Sequence, residues 1–304
     1  MPWPRTLSRA LPRLISCLVL SLCLTSAAAA EVRVTDDRGV EIRLDAPAGR
    51  VVPLYGAFSE ILSDLGREEA IAARTAADEF PPSIASRPSV GTHLRPNAEL
   101  ILGLSPDLVV QLGGRPEALE PVRFLEERGV AVAVFDLENF EQLFSVMERL
   151  GVLTGSSARA EERVAAMRAE LAAIEASRKG PQPRVFFEVR YPNLLAAGQG
   201  SMVSEIMAAA GGRNCVEAPD KLVRLGEEEL LRLAPDIYLV QKGPMNPAPV
   251  PVAERPLFRT LSCLDKGQVF TVDQALFSRP GPRSIEAVRQ LSTIIANWKT
   301  EVRP

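Results

Sequence analysis

The alternation of apolar and polar residues is most regular in the middle of the chain, where it predicts one long amphipathic helix. Val164, Met167, Leu171 and Ile174 recur at steps of three and four residues, which places them on one helix face. The pattern extends from residue 157 to about residue 178. A helix of this length spans roughly 30 Å, about the diameter of a small domain.

The segments before and after this helix share a second pattern. Glu99 to Gly113 and Glu228 to Gly243 each combine a short apolar helix, a Pro-Asp turn, a buried strand and a glycine-bearing loop. This repetition predicts an α/β fold with two Rossmann-like lobes joined by one long α-helix. A ligand would lie in a cleft between the lobes, beyond the carboxyl ends of their strands.

This prediction divides the chain into four parts. They are a signal peptide over residues 1–30, an N-terminal lobe over 31–154, an interlobe helix over 155–180 and a C-terminal lobe over 181–304. Alternating residues on both sides of Asp37-Arg38-Gly39 also predict a β-hairpin at the start of the first lobe.

The first thirty residues are organised as a secretory signal peptide. Arg5, Arg9 and Arg13 precede an apolar run from Leu14 to Leu24, and small residues follow. The run is about half as long as the roughly 20 residues that a membrane-spanning helix needs. We therefore expect a periplasmic protein. A lipoprotein anchor at Cys17 is disfavoured because hydrophobic sequence continues well past it.

Composition narrows the class of partner. The chain has 304 residues, of which 46% are hydrophobic, so it can form two domains with cores of their own. Its formal net charge is −3 and it has no long basic tract, which argues against nucleic acid as a partner. We expect a monomer.

Cysteine usage adds one expectation about the second lobe. Cys17 and Cys23 leave with the signal peptide, whereas Cys215 and Cys263 remain. In an oxidising compartment, two remaining cysteines predict one disulfide, and two buried free thiols are the alternative.

The order of several segments resembles a known family, the solute-binding proteins of ABC importers for iron chelates and vitamin B12. The resemblance covers about residues 50–297 and rests on spacing as well as on motifs. The segments that carry it are Arg50-Val-Val-Pro53, the helix of residues 59–66, Val90-Gly91, the run from Pro96 to Val110, and Gly211-Gly-Arg-Asn214, which is similar to a Gly-Gly-x-Asn segment of the family.

The resemblance implies capture of a metal chelate in the periplasm and delivery to the permease subunits of an importer. Ferric siderophore and cobalamin are the leading ligands, with haem behind them, and no resident cofactor is expected. The resemblance also implies that Glu99 and Glu205, one on each lobe, dock onto the permease. Glu60 is a rival for the role in the first lobe.

Loop residues near strand ends are the candidates for ligand contact. His93, the only histidine, could bind a metal centre or donate a hydrogen bond. Arginines suit anionic groups, and aromatic rings suit the broad faces of a chelate. The candidates are Tyr55, Phe58, His93, Arg95, Arg115, Arg190, Tyr191, Phe277 and Arg279.

Enzymatic function has little support in the sequence. With one histidine, no Gly-x-Ser-x-Gly elbow and no phosphate-binding loop, the chain lacks the usual catalytic arrangements, and one histidine is too few for a naked zinc or manganese ion. Two alternatives stay open. One is a cleft that binds an oxyanion such as molybdate or tungstate, and the other is a periplasmic metal chelatase that uses His93 as its base.

Overall fold

The computed structural model of the protein describes residues 31–298. Within that range the chain forms two separate β-sheets surrounded by helices, together with an antiparallel hairpin. The sequence expectation of an α/β fold with two lobes is confirmed.

The first lobe is built on a parallel sheet in the order β3-β4-β5. Its strands consist almost wholly of buried apolar residues, as expected for a sheet covered on both faces. The predicted hairpin is present, with Val32 opposite Leu44. The elements are β1 (Val32–Thr35), β2 (Glu41–Leu44), β3 (Val51–Pro53), α1 (Gly56–Asp64), α2 (Ala98–Gly103), β4 (Leu108–Leu112), α3 (Pro116–Glu126), β5 (Val132–Phe135) and α4 (Phe140–Thr154), with short 3₁₀ turns at Glu68–Ala70 and Pro82–Ser86.

The long helix α5 (Ser157–Ser177) follows directly, and the expected range of 157 to about 178 is confirmed to within one residue. Gly155 makes the close succession possible, because its φ of 68° ends α4 in a left-handed conformation that favours glycine.

The second lobe has a six-stranded sheet in the order β11-β10-β6-β7-β9, with β8 paired to the start of β6. Strands β6, β10 and β11 are parallel, whereas β7 runs antiparallel to both of its neighbours. The elements are β6 (Arg184–Arg190), β7 (Leu195–Ala197), α6 (Met202–Ala210), β8 (Arg213–Asn214), β9 (Leu222–Arg224), α7 (Glu227–Leu233), β10 (Ile237–Lys242), α8 (Ser262–Asp265), β11 (Val269–Asp273), α9 (Gln274–Phe277) and α10 (Ser284–Asn297), with 3₁₀ turns at Val252–Glu254 and Leu257–Thr260.

The repeated sequence pattern corresponds to a repeated structural unit. Helix α2 leads into β4 in the first lobe, and α7 leads into β10 in the second. Each of these strands has a parallel neighbour on both sides. The two similar sequences therefore each form an interior strand of their sheet.

Ion pairs fasten α5 to helices of both lobes. Arg163 binds both carboxylate oxygens of Asp64 on α1, at 3.0 and 2.9 Å. Arg168 binds Glu141 on α4 with two bonds of 2.6 Å. In the second lobe, Arg289 on α10 pairs with Glu170. With its apolar face packed against α4, α6 and α10, the helix holds the lobes together along one side.

The two lobes also share buried apolar contacts. One continuous cluster contains Phe58 and Leu150 from the first lobe as well as Met207 and Leu291 from the second. Separating the lobes would expose part of this shared core to water, which is unfavourable. A wide hinge motion is therefore opposed by packing as well as by α5.

The disulfide expected between Cys215 and Cys263 is absent, and both cysteines are free thiols. Each lies in the apolar cluster of the second lobe, where it packs as a small hydrophobic side chain. Burial raises the pKa of Cys215 to about 12 and that of Cys263 to about 11. The alternative of two buried thiols therefore describes the structure.

The predicted signal peptide, with Cys17 and Cys23, lies outside the described residues. Among residues 31–298, none of the helices combines the length and the apolar character needed to cross a membrane.

Candidate functional site

Two aromatic side chains of the first lobe meet where its strand ends face the second lobe. Tyr55 follows β3 by two residues and is the N-cap residue of α1. His93 lies in the loop before α2, with its ring centroid 5.6 Å from that of Tyr55. Both side chains are half-buried. The pair forms a surface that remains accessible from one side.

The loop that carries His93 is hydrogen-bonded to Gln111, a fully buried residue of β4. Its amide nitrogen donates to the carbonyl oxygen of His93 at 3.2 Å and to that of Ala118 at 3.1 Å. Its amide oxygen accepts from the backbone N–H of Leu112 at 2.8 Å. A buried side-chain amide whose nitrogen and oxygen both form hydrogen bonds restrains the groups it binds. Gln111 therefore sets the position of the His93 loop.

The electrostatic surroundings of His93 come from both lobes. Burial lowers its pKa, and the positive charges of Arg115 and Lys221 lower it further against the opposing effect of Asp78. Arg115 follows β4 in the first lobe, whereas Lys221 precedes β9 in the second. Charges from both lobes thus act on one imidazole.

Lys221 is exposed to water and nevertheless has a lowered pKa, mainly because surrounding protein partly desolvates its ammonium group. A side chain in a cleft combines these two properties, since protein surrounds it while one side stays open. Arg115 lowers the same pKa, and Glu138 and Asp136 at the end of β5 raise it. Charged residues that follow β4 and β5 of the first lobe therefore act on Lys221 of the second.

Two cations of the cleft have no carboxylate bound to them. Within residues 31–298, neither Arg115 nor Lys221 takes part in an ion pair, whereas Arg279 and Arg283 nearby both pair with Glu60. Unpaired cations that repel one another are unfavourable and favour an anionic group placed between them.

Arg279 of the second lobe lies against the start of α1 in the first lobe. Its guanidinium packs against the first residue of α1, where a Cβ on Gly56 would lie 3.0 Å from Arg279 Cζ and 2.5 Å from Asp78 Oδ1. Only glycine leaves space for both groups.

Burial raises the pKa of Tyr55 to about 12, with Arg279 acting in the opposite direction. Tyr55 is therefore a neutral phenol at physiological pH.

Two of the predicted aromatic contacts need correction. Phe58 lies inside α1 and Phe277 inside α9, and neither has exposed surface. Phe58 packs against Phe135 at 6.3 Å and Phe277 stacks on Phe187 at 6.0 Å, between ring centroids. They belong to the shared core, because both residues lie in helices where the sequence pattern placed loops.

Three further candidates lie at strand ends or loops, as expected. Arg95 is exposed. Arg190 ends β6, and its Nε is buried without a hydrogen-bond partner among the described residues. Tyr191 donates its hydroxyl proton to Glu227 at 2.9 Å, and its ring lies 4.0 Å from Arg255 Cζ. Tyr191 is therefore already engaged by its own lobe.

The glutamates expected to dock a partner differ in setting. Glu99 is exposed in the first turn of α2. Glu205 is half-buried in the first turn of α6, and burial raises its pKa. Glu60, the rival for the first-lobe role, is only 2% exposed. It is bound by Arg279 and Arg283, so it cannot present a carboxylate to an external protein.

The donor set for metals is sparse. In the part of the chain that the structure describes, no three His, Cys, Asp or Glu side chains converge as a metal site would require. His93 can supply a single axial ligand to a metal that arrives already chelated.

Lys221 is the cleft residue that sequence reasoning missed. It precedes a three-residue strand of mixed polarity, which gives no periodic signal. Its relation to Arg115 depends on the packing of one lobe against the other, and only its position after Pro219-Asp220 indicates a loop.

Comparison with known proteins finds a matching family model and several relatives. A family model described as periplasmic binding protein matches residues 51–276. The uncharacterized ABC transporter substrate-binding lipoprotein YvrC of Bacillus subtilis is 24% identical over 271 residues, covering 87% of this chain and 85% of its own. The vitamin B12-binding protein of Photorhabdus laumondii is 25% identical over 246 residues, covering 80% and 86%.

Solved structures show the same architecture. The apo form of the periplasmic heme-binding protein RhuT from Roseiflexus sp. RS-1 superimposes with a TM-score of 0.67 at 27% identity. The match covers 82% of this chain and 98% of that structure.

Proposed function

Because the chain belongs to the family of periplasmic binding proteins over residues 51–276, we propose that it captures a metal chelate and delivers it to an ABC importer. Cobalamin and haem are the foremost ligands, since relatives are named for each. A ferric siderophore is the alternative within the same class. The proposed role is binding without catalysis.

The observation that carries the choice of a chelate is the Tyr55–His93 pair. Two rings with centroids 5.6 Å apart offer an apolar surface to a broad ligand face. The lowered pKa of His93 keeps its imidazole neutral at physiological pH, and a neutral imidazole is the form that binds a metal. Tyr55 is protonated under the same conditions, so His93 is the better axial ligand.

Charged groups supply the second element of recognition. Arg115 and Lys221 stand on opposite lobes, and both act on His93. A chelate with carboxylate or phosphate groups at its edge would relieve their mutual repulsion. A molybdate or tungstate site is less favoured, because it would make no use of the two rings, and neither relative named above for its ligand is named for an oxyanion.

Delivery requires contact with the permease subunits. Glu99 and Glu205 lie at the first turns of α2 and α6, one on each lobe. Two carboxylates held on one rigid body fix the orientation of a docking partner more than its affinity. We propose this role for them in a monomeric periplasmic protein without nucleic-acid contacts, exported by residues 1–30.

Copurification tests the class of ligand. The mature protein, isolated from the periplasm of its own host, should carry a visible absorbance band and a stoichiometric metal, cobalt or iron. A protein that carries molybdenum or tungsten instead, without a visible band, would refute the proposal of a chelate.

A pair of double variants tests docking. Glu99→Ala with Glu205→Ala should abolish uptake in cells and leave chelate binding unchanged. The matched control, Glu117→Ala with Glu229→Ala, removes two exposed carboxylates from α3 and α7 and should leave both properties unchanged. Loss of chelate binding in the first double variant would overturn the docking assignment.

A further inference from the structure

Glu60 joins the two lobes through arginines of the second lobe. It belongs to α1 of the first lobe and is 2% exposed. Arg283 of the second lobe donates from Nη2 to Oε1 at 2.6 Å and from Nε to Oε2 at 3.0 Å. Arg279 donates from Nη1 to Oε1 at 3.1 Å. One buried carboxylate thus receives three hydrogen bonds from the opposite lobe.

The loop that supplies these arginines fits closely against the first lobe. The Arg283 guanidinium lies 4.1 Å above the ring of Phe80, a favourable cation–π contact. Gly281 approaches so closely that a Cβ there would lie 3.1 Å from Glu60 Oε2. Such close packing leaves the lobes little freedom to slide at this point.

The charges in this region are nearly balanced. Glu60 and the buried Asp78 belong to the first lobe, and Arg279 and Arg283 belong to the second. Asp78 interacts electrostatically with Arg279 and with Arg74, although burial is the main cause of its raised pKa. Separating the lobes here would break three charge-assisted hydrogen bonds and the close packing around Glu60.

We propose that Glu60 is a positioning residue whose pairs with Arg279 and Arg283 clasp the lobes and set the width of the ligand cleft. Helix α5 fastens one side of the lobes, and this clasp fastens them a second time. The wall formed by Tyr55 and His93 is thereby held at a fixed distance from Lys221. Arg279 accordingly acts between the lobes first and on a ligand only second.

A distance measurement across the cleft tests this role without any ligand. Spin labels are attached to Glu117→Cys in the first lobe and Arg224→Cys in the second, both exposed positions. Cys215 and Cys263 are buried and remain unlabelled in the folded protein. Double electron–electron resonance between the two labels should give a narrow distance distribution with Glu60 present and a broader or shifted one in Glu60→Gln.

Control and alternative variants make each outcome decisive. Glu286→Gln removes a surface carboxylate paired with Arg289 inside α10 and should leave the distribution narrow. If Glu60→Gln does not fold, Arg283→Gln at a partly exposed arginine gives the same readout. An unchanged narrow distribution in the folded variant overturns the proposal. Failure of both variants to fold also overturns it, because the carboxylate would then stabilise the fold itself.

Discussion

Glu188 and Arg255 form an ion pair in which neither side chain is more than 1% exposed. Arg255 donates to the two carboxylate oxygens at 2.5 and 2.9 Å, and the Tyr238 hydroxyl donates to Oε2 at 2.6 Å. Arg255 also donates to the Val250 carbonyl oxygen at 2.6 Å. The pair therefore fastens the proline-rich loop after β10 to the centre of the second sheet.

Removing one member of this pair should destabilise the second lobe strongly. Glu188→Gln or Arg255→Met leaves a buried charge without its counterion, which costs about 3–5 kcal/mol. The double variant Glu188→Gln with Arg255→Met should cost less than the two single changes added together. Denaturant unfolding of the mature protein measures these differences. Single variants within about 0.5 kcal/mol of the unchanged protein would disprove the structural role of the pair.

The single histidine gives a simple pH prediction. Because the pKa of His93 is lowered in the folded protein, the unfolded chain binds a proton at higher pH than the folded one. The free energy of unfolding should therefore fall as pH drops below about 6.5, until the folded-state pKa is passed. His93→Gln should remove this part of the pH dependence, as no other histidine is present. Parallel pH profiles for the two proteins would contradict the prediction.

The two remaining cysteines should be unreactive until the protein unfolds. Their pKa values of about 12 and 11 leave almost no thiolate at neutral pH, and burial excludes reagents. A thiol-specific dye should label neither cysteine in the native mature protein and both after denaturation without reductant. A denatured protein that gains label only after reduction would show that a disulfide is present.

Reversing the charge of Lys221 should weaken chelate binding. Lys221→Glu places a carboxylate opposite the end of β5, where Asp136 and Glu138 already lie. Affinity for an anionic chelate should fall at least about tenfold, or 1.4 kcal/mol, and less at high salt. Lys179→Glu, the same change at an exposed site after α5, is the control. Equal affinities for the two variants would remove Lys221 from the binding site.

Much of the architecture followed from local sequence patterns. Apolar residues at helical spacing defined α5 to within one residue, because periodicity reports directly which face is buried. The repeated segment that contains β4 in one lobe and β10 in the other identified the two sheets. A long helix and two buried strands are properties of contiguous residues, so they are visible in the sequence.

The site depended more on contacts between distant residues. Glu60 gives no sign in the sequence that it binds arginines more than 200 residues away. Glu188 looks like an interruption of an apolar strand until Arg255 is placed beside it. Phe58 was assigned to a loop because a helix start is hard to locate without a capping side chain, and α1 has none. Phe277 was assigned to a loop because it ends α9, a helix of only four residues.

Direct titration tests the central claim most sharply. The mature protein, freed of any bound molecule by unfolding and refolding, is titrated with cobalamin, haemin, a ferric hydroxamate and molybdate, and the absorbance or heat is recorded. The account predicts saturable 1:1 binding of at least one chelate, lost or strongly weakened in His93→Ala. Saturable binding of molybdate together with no binding of any chelate would contradict it.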